Sequence, residues 1–433
     1  MEPHLDRDLG VDVLVIGGGI QGLYLAREVS RSYSVCVVSD PAVATGTLES
    51  DGYLSAGYDG NDANRAQPAR RAAAWWRLWA ESNGVPFDVD PAWYVIPPSD
   101  LATRTRYWGD ATLSATQTDR LPPAFAGGCL DGDTPFRVDT DVVINPATLL
   151  MRLRHGIEDR CLEGEVVRFG LVSDEAIDHV QVQIGDAVVP IVPRFVVLAA
   201  GVGNADLLAK LGARFADQAK RKSSKELSDR CQAVRLQYEL CVRGPDLPVV
   251  NGRFEELLVA THTLTGSDEH VWVVTPPVDD VRTTLGPVNL RFEPAVDREV
   301  VAGLVQRLFA MSPMLDKQSA DLRWSVYVTR RTQHPVLAAP DTTTVAQPVP
   351  AKLEKFGLDS FLAVWPSHLA YAQFVGDAVA ERIADALGPP VDFSDGPQPA
   401  DLGQSAPVLR ARWDRDDFPW SGWSEFSQTN ALV

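Results

Sequence analysis

The sequence predicts a two-domain α/β chain in which a Rossmann-like unit of parallel strands and helices accompanies a second domain with a mainly antiparallel sheet. Three observations predict this fold class. Residues 11–40 read as strand, glycine turn, helix and strand, and residues 195–212 repeat the order of strand, small-residue turn and helix. Residues 86–140 and 231–294 instead contain short apolar bursts between Pro, Gly and Asp. The first two patterns are typical of parallel sheets with crossover helices, and the third is typical of antiparallel strands.

The N-terminal segment is a βαβ unit built around a glycine turn. An apolar, β-branched run over 11–16 has the character of a buried parallel strand. It leads into Gly17, Gly19 and Gly22, which satisfy G-x-G-x-x-G, and a helical pattern follows. In this motif the first glycine makes the tight turn, the second lets a pyrophosphate approach the backbone, and the third lets helix and strand pack closely. Because the helix N-terminus also offers free N–H groups to phosphates, the segment predicts a dinucleotide site.

The end of this unit and the loop after it contain candidates for the rest of the nucleotide site. An acid at the end of the second strand commonly holds the ribose hydroxyls. Asp40 stands 23 positions after Gly17 and is our prediction, although a tighter strand alignment would place Ser39 there instead. Residues 41–60 are rich in Gly, Ser, Thr and Asp. They read either as an extended loop over the ligand or as an ordinary surface loop.

Composition and charge exclude several classes of protein. The 433 residues suffice for two or three domains, and 45% hydrophobic with 23% charged residues is typical of a globular protein. A formal net charge of −18 argues against a general nucleic-acid or anionic-membrane binder. No run approaches a membrane span, and the N-terminus lacks the pattern of a signal peptide. Five scattered cysteines without C-x-x-C indicate free thiols and a cytoplasmic protein, and no histidine spacing indicates a metal.

Four separated segments resemble the FAD-dependent oxidoreductases of the D-amino-acid oxidase superfamily, which includes glycine and sarcosine oxidases and flavin glycerol-3-phosphate dehydrogenases. The segments are VLVIGGGIQGLYLARE with the loop over 47–57, VINPATLLMRLR with GEVVRF, VVLAAGVGNADLLAKLG, and FLAVWPSHLAYAQFVGDAVAERIADAL. They occur in the order that the family shows. The resemblance implies a Rossmann-like FAD-binding domain of the glutathione-reductase type, assembled from discontinuous pieces, and a mainly antiparallel substrate domain.

The resemblance also divides the chain. The predicted pieces are FAD-binding domain at 1–82, 145–215 and 355–390, substrate domain at 83–144 and 216–354, and a Trp-rich C-terminal tail at 391–433. Independently of the resemblance, Asn145 followed by Pro146 predicts a helix start, with the asparagine as N-cap and the proline at the first helical position.

The same resemblance implies which residues would hold FAD. The pyrophosphate would lie on the glycine turn, Val166 would contact adenine through its backbone, and Ala200 with Gly201 would lie near the diphosphate. The turn before the last helix would aim that helix's N-terminus at the flavin pyrimidine, where reduction builds negative charge. The predicted FAD set is Gly17, Gly19, Ile20, Gln21, Gly22, Ser39, Asp40, Thr47, Ser50, Val166, Ala200, Gly201, Ser367, His368 and Leu369.

Four residues are candidates for the chemistry. His368 lies where relatives often have a glycine-rich turn, and it would either tune the N1–C2=O region of the flavin or cap the helix. Arg330 and Arg331 stand where amino-acid oxidases often bind a substrate carboxylate, but without the usual Gly-Leu before and Pro after. They would clamp a substrate anion bidentately or be surface arginines of a strand. Tyr327 would hydrogen-bond the substrate or be a half-buried strand tyrosine.

These features predict an FAD-dependent oxidoreductase that transfers hydride from an amine or amino acid C–H to flavin N5. Oxygen or an external carrier would be the acceptor, because no second G-x-G-x-x-G indicates a nicotinamide partner. Two alternatives stay open. One is oxidation of an alcohol carbon, as in glycerol-phosphate dehydrogenases, and the other is a flavin-binding protein without redox turnover, suggested by the altered turn at 365–368. A small-molecule substrate is the partner predicted.

Overall fold

The computed structural model describes residues 8–43, 46–58, 63–88, 91–174, 176–276, 283–333, 358, 360–365, 369–391, 398–402, 409–430 and 432. The strands of this part of the chain are β1 Leu9–Ile16, β2 Val35–Ser39, β3 Tyr53–Leu54, β4 Phe87–Asp88, β5 Ala92–Ile96, β6 Thr116–Gln117, β7 Thr134–Val138, β8 Val142–Ile144, β9 Cys161–Glu163, β10 Glu165–Ser173, β11 Ala176–Ile184, β12 Ala187–Leu198, β13 Ala233–Gly244, β14 Gly252–Phe254, β15 Leu257–Thr263, β16 His270–Thr275, β17 Thr283–Leu285, β18 Arg323–Gln333, β19 Phe361–Ala363 and β20 Ser421–Gly422. The α-helices are α1 Ile20–Val29, α2 Ala63–Asn83, α3 Pro98–Asp110, α4 Pro146–Arg154, α5 Asn204–Gly212, α6 Gln218–Ser228, α7 Arg298–Met311, α8 Pro313–Gln318, α9 Ala372–Leu387 and α10 Trp423–Thr429.

The first sheet has a parallel core. Strands β19, β12, β1, β2 and β9 lie side by side in this order, and each neighbouring pair is parallel. Strands β10 and β11 extend the sheet as an antiparallel meander that pairs with the first half of β12. Because the chain leaves β1 towards β2 on one side and later returns to β12 on the other, a crevice is expected at the carboxyl ends of β1 and β12.

The burial of β1 explains why its sequence is a continuous apolar run rather than an alternating one. Val13 and Val15 pack into the same hydrophobic core as α1, whereas Leu14 and Ile16 pack into the core on the opposite face. A strand buried on both faces needs apolar side chains at every position. The βαβ interpretation of residues 11–40 is therefore confirmed.

The second sheet is mainly antiparallel. Its strands are ordered β20-β18-β13-β16-β15-β14-β5-β7-β6, with β17 also paired to β13, and the β14–β5 pair is the parallel exception. One face packs on α7 through Val301, Leu304 and Leu308. A small sheet of β3, β8 and β4 completes the β-structure of the described residues.

The observed sheets agree with the predicted fold class in outline, namely parallel strands with helices and a second, mainly antiparallel sheet. The predicted cap is also confirmed, since Asn145 Oδ1 accepts hydrogen bonds from Ala147 N at 2.9 Å and from Thr148 N at 3.2 Å. The helix α3 was not expected in its Pro- and Asp-rich region. It starts with Pro98 at its first position, where a fixed φ favours a helix. The division of the chain into domain pieces stays a prediction.

Candidate functional site

A cavity of about 720 Å³ opens at the carboxyl ends of the central parallel strands. Its wall combines the glycine turn after β1, the loop after β2, the start of β10, the turn after β12, the loop over 287–291, the end of β18 and Leu369. This is the crevice that the strand order predicts. In size it falls within the range of ligand and cofactor pockets.

The glycine turn has no room for side chains. Gly17 has φ +130°, and a Cβ on it would lie 2.3 Å from Ala199 O, on the neighbouring strand. A Cβ on Gly22 would lie 1.9 Å from Gly17 O, and Gly22 itself is behind the turn rather than in the cavity wall. Gly19 is the N-cap of α1 and makes no side-chain cap hydrogen bond. The bare backbone at this helix N-terminus therefore faces the cavity, as an anion site requires.

Both candidates for the ribose contact line the cavity. The Oδ1 atom of Asp40 accepts a hydrogen bond from Ala42 N at 2.9 Å, which fixes the carboxylate at the end of β2. Ser39 packs against the turn, where a Cβ on Gly18 would lie 2.8 Å from its Oγ. In the loop that follows, Thr47 Oγ1 accepts a hydrogen bond from Ile20 N at 3.1 Å, so this loop is tied to the start of α1. The choice between Ser39 and Asp40 stays a prediction.

The far wall comes from β10 and from the turn after β12. The carbonyl of Val166 faces Lys210, whose Nζ donates to it at 3.0 Å. Asn204, fully buried, holds the turn by accepting from Ala200 N at 2.9 Å and donating to Val364 O at 2.7 Å. Gly201 has φ +56°, and a Cβ there would meet only Thr332 Cγ2, at 3.8 Å. The turn thus leaves open space next to the cavity.

Two buried oxygens in the wall have no hydrogen-bond partner among the described residues. They are Gln21 Oε1 and Thr332 Oγ1. Buried polar atoms are rarely left unpaired, so such atoms beside a cavity fit a polar ligand. The glycine N-cap of α1, the glycine turn and the carboxylate after β2 fit the same kind of ligand, a dinucleotide. The sequence predicted Gln21, whereas nothing local in the sequence marks Thr332.

The predicted FAD residues are distributed as follows. Those that line the cavity are Gly17, Gly19, Ile20, Gln21, Ser39, Asp40, Thr47, Ser50, Val166, Ala200, Gly201 and Leu369. Ser367 and His368 lie outside the described residues. The predicted role of His368 in the chemistry therefore stays a prediction.

The adjacent arginines Arg330 and Arg331 both line the cavity but have different partners. Arg330 donates through Nη2 to the backbone carbonyls of Asn289, at 3.2 Å, and Phe292. Its guanidinium therefore stabilises the loop over 287–292. Arg331 points to the opposite face of β18, where its Nη2 lies 3.1 Å from Glu239 Oε1 and 3.7 Å from Asp51 Oδ2. The Arg331 side chain keeps 29% of its surface exposed.

Glu239 is a fully buried acid in the middle of β13. Its Oε1 accepts a hydrogen bond from Gln237 Nε2 at 2.8 Å, and its Oε2 lies 2.5 Å from Thr275 Oγ1. Burial, reinforced by the negative charge of Asp51, raises the pKa of Glu239 to about 8 although Arg331 opposes the shift. At neutral pH Glu239 is therefore mostly a neutral acid. Sequence reasoning missed it, because Glu239 continues the polar alternation of Arg235 and Gln237 along β13 and nothing in that pattern marks it as buried.

Tyr327 does not line the cavity. Its ring is 4% exposed, and its hydroxyl donates to the carbonyl of Glu49 at 3.1 Å. The guanidinium of Arg412 lies over the ring, 5.9 Å from its centroid. This placement supports a structural role for Tyr327, beneath the loop over 46–52.

The C-terminal tail holds the same loop from outside. Arg412 N donates to Leu48 O at 2.9 Å, and the buried ring of Trp413 stacks on His262 at 4.7 Å. His262 in turn contacts the carbonyl of Asp51 through Nε2 at 2.8 Å, and burial lowers its pKa to about 4. The tail therefore fixes the loop that carries the cavity residues Thr47 and Ser50.

Two further observations bear on the classes of site present. Among the described residues, no group of three or more His, Cys, Asp or Glu side chains could hold a metal ion. No helix in the same part of the chain is long and apolar enough to cross a bilayer.

Comparisons with known proteins give the family and the fold of the chain. The family model described as FAD dependent oxidoreductase matches residues 12–349. A probable FAD-dependent oxidoreductase of Pseudomonas aeruginosa is 24% identical over 408 residues, which cover 88% of this chain and 93% of that protein. The crystal structure of the Pseudomonas protein superposes with a TM-score of 0.66 at 20% identity, covering 94% of this chain and 98% of that one.

Two other solved structures are similar in fold. Glycine oxidase from Geobacillus kaustophilus has a TM-score of 0.62 at 14% identity, with 87% of this chain and 95% of that chain covered. L-α-glycerophosphate oxidase from Mycoplasma pneumoniae, solved with FAD bound, has a TM-score of 0.63 at 15% identity, with 87% and 94% covered. At these identities the likeness shows the fold.

Proposed function

We propose that this chain, which belongs to the family of FAD-dependent oxidoreductases, oxidises the C–N bond of a small amine that carries a carboxylate, an amino acid being the simplest example. Its cofactor is FAD, which supplies the hydride acceptor of the reaction. The observation that carries the proposal for the substrate is the half-buried guanidinium of Arg331 in the cavity wall, with two acids behind it.

The residues that would hold FAD follow from the cavity wall. The backbone N–H groups of the turn over 17–19 would meet the pyrophosphate, and the carboxylate of Asp40 would meet the adenosine ribose. Thr47 ties the covering loop to the start of α1 and so would close the site over the diphosphate. These assignments are supported by the absence of side chains in the turn and by the glycine N-cap of α1, which places no side chain of its own over the helix start.

Arg331 is better placed than Arg330 to anchor a substrate anion. Arg330 already donates to two backbone carbonyls. Both acid contacts of Arg331 use Nη2, so among the described residues Nη1 is left for another acceptor. A charge-assisted hydrogen bond from a guanidinium to a carboxylate is one of the stronger polar contacts in proteins. Arg331 would therefore orient the substrate by its carboxylate.

The charge around Arg331 favours a carboxylate over a phosphate. Asp51 lies 3.7 Å from the guanidinium and partly neutralises its positive charge. A substrate carboxylate adds one negative charge to this arrangement, whereas a phosphate monoester adds close to two. Because close like charges in a partly buried site repel strongly, the geometry disfavours a glycerol-phosphate substrate. The charge around Arg331 therefore favours an amino acid as the substrate over a phosphorylated alcohol.

The experiment is anaerobic mixing of the FAD-loaded protein with amino acids, amines lacking a carboxylate, 2-hydroxy acids and glycerol 3-phosphate, followed through the flavin absorption band. We expect amino acids to bleach the band. Arg331→Met should raise the KM for the best amino acid by about 10- to 100-fold, the loss of one charge-assisted hydrogen bond. Arg330→Met, which releases a loop instead, should raise it less.

Three results would contradict the proposal. If only glycerol 3-phosphate or the hydroxy acids bleach the flavin band, the protein oxidises an alcohol carbon and not a C–N bond. If the KM is unchanged in Arg331→Met, Arg331 does not bind the substrate. A flavin that stays oxidised with every compound would favour a flavin-binding protein without turnover.

A further inference from the structure

We infer that Glu239 is a positioning residue that governs how strongly Arg331 attracts the carboxylate of the substrate. The inference rests on the proposed function, since it concerns recognition at the same site. Glu239 does not line the cavity, so it acts through Arg331 rather than on the substrate.

The sheet register places Glu239 beside Arg331 on one face. In the antiparallel pairing of β13 with β18, Glu239 is opposite Tyr327, and Arg331 lies four residues further along β18 on the same face. The arginine side chain reaches back, so that its Nη2 lies 3.1 Å from Glu239 Oε1. Because Glu239 is fully buried, water and salt screen this contact much less than they would screen an exposed ion pair.

Within the part of the chain that the structure describes, few charged or titratable groups face Glu239. Arg331 and Tyr327 face it from β18, Cys241 from β13 itself, and Asp51 from the loop over 46–52. The β16 strand contributes only the hydroxyl of Thr275. Arg331 is the one cation in this set, so the charge state of Glu239 directly changes how far the guanidinium is neutralised.

Two charge states of the acid give two strengths of attraction. While Glu239 is a neutral acid, Asp51 is the nearest counter-charge of Arg331, and the guanidinium keeps a net attraction for an anion in the cavity. When Glu239 ionises, a second negative charge at 3.1 Å competes with the ligand. Since the pKa of Glu239 is raised to about 8, binding of a carboxylate should weaken above that pH and not below it. By reciprocity, a bound carboxylate should raise the pKa of Glu239 further.

The test uses propionate, a carboxylate without an amine, and the FAD-loaded full-length protein. The dissociation constant of propionate is measured from the perturbation of the flavin spectrum between pH 6.5 and pH 9.5. We expect the wild-type constant to be flat up to about pH 8 and then to rise by up to about tenfold per pH unit, since only the protonated form of Glu239 favours the anion.

Three variants test whether Glu239 is the group that causes this pH dependence. Glu239→Gln should keep the low-pH affinity and lose the rise, because glutamine cannot ionise. Thr275→Val removes a hydroxyl that favours the charged form of Glu239, so the rise should move to higher pH. The control Glu255→Gln, in the turn after β14, should reproduce the wild-type profile. If Glu239→Gln fails to fold, the wild-type and Thr275→Val profiles still decide the question.

A wild-type profile that is flat to pH 9.5, a rise that persists in Glu239→Gln, or no binding of propionate at any pH would overturn the inference. The outcome is independent of turnover. Propionate binding with the expected pH dependence in a protein that oxidises no amino acid would support the role of Glu239 and contradict the proposed reaction. Amino-acid oxidation with a flat propionate profile would do the reverse.

Discussion

Replacement of Gly22 by alanine tests how the N-terminal turn is built. A Cβ at this position would lie 1.9 Å from the carbonyl oxygen of Gly17, 3.0 Å from its carbon and 3.3 Å from Val15 Cγ1. Because the first neighbour is backbone, no side-chain rotation can relieve the clash. The Gly17 turn must retreat from α1 by more than 1 Å to restore an ordinary contact.

The expected cost follows from this displacement. Forcing one extra methyl group into a close-packed site costs about 1–3 kcal/mol. The displaced backbone is the part of the chain that would contact the pyrophosphate, so most of this cost should appear in cofactor binding. Since 1.4 kcal/mol corresponds to a factor of ten, Gly22→Ala should weaken FAD binding by about 5- to 100-fold.

The assay is titration of the FAD-free protein with FAD, followed by quenching of flavin fluorescence. Gly303→Ala is the matched control, because it lies within α7 and its Cβ would have no neighbour within 4 Å. The control should raise the free energy of unfolding by about 0.5–1 kcal/mol, the usual gain for Ala over Gly in a helix, and leave FAD affinity unchanged. An FAD affinity of Gly22→Ala within twofold of wild type would refute the reasoning.

Three further predictions concern the scaffold. Asp12→Asn removes the fully buried carboxylate from its 2.7 Å ion pair with Arg194 and should lower the free energy of unfolding in urea by about 3 kcal/mol. Because the fold lowers the pKa of Asp12, the stability that this carboxylate adds should be present at neutral pH and should disappear as the pH falls through the lowered pKa. Trp413→Ala should cost about 3–5 kcal/mol and admit water to His262, so that an NMR titration finds the pKa of His262 moved from about 4 towards 6.5. Tyr94→Phe removes a 2.7 Å hydrogen bond to the buried Asp141 carboxylate and should lower the free energy of unfolding by about 1.5 kcal/mol, with FAD affinity unchanged.

The part of the cavity wall that we propose to hold the cofactor could be predicted from the sequence, because its residues lie close together in the chain. Gly17, Gly19 and Asp40 belong to one continuous βαβ unit, whose spacing is set by the geometry of a strand, a turn and a helix. The register of β1 against β12 then brings the turn after β12 beside Gly17, where Ala199 and Ala200 lie. A pattern confined to some thirty residues can encode such a site.

The part that we propose to bind the substrate was harder to predict, because its contacts join segments that are distant in the chain. Glu239, Arg331 and Asp51 come from β13, β18 and the loop after β2, and only the folded sheet brings them together. Strand alternation implied that Arg330 and Arg331 point to opposite faces, but not which of them would meet Glu239 and Asp51. The raised pKa of Glu239 likewise depends on burial and on Asp51, and neither can be read from the strand sequence alone.

The most direct test of the proposed reaction is a matched pair of substrates that differ only in the reacting heteroatom. The best amino acid and the 2-hydroxy acid of the same carbon skeleton carry the same carboxylate for Arg331, so binding is held nearly constant. Rates of flavin reduction are measured under anaerobic conditions with each compound at saturation. We predict fast reduction by the amino acid, with an imine-derived oxo acid as product, and slow or no reduction by the hydroxy acid. Faster reduction by the hydroxy acid would contradict the account.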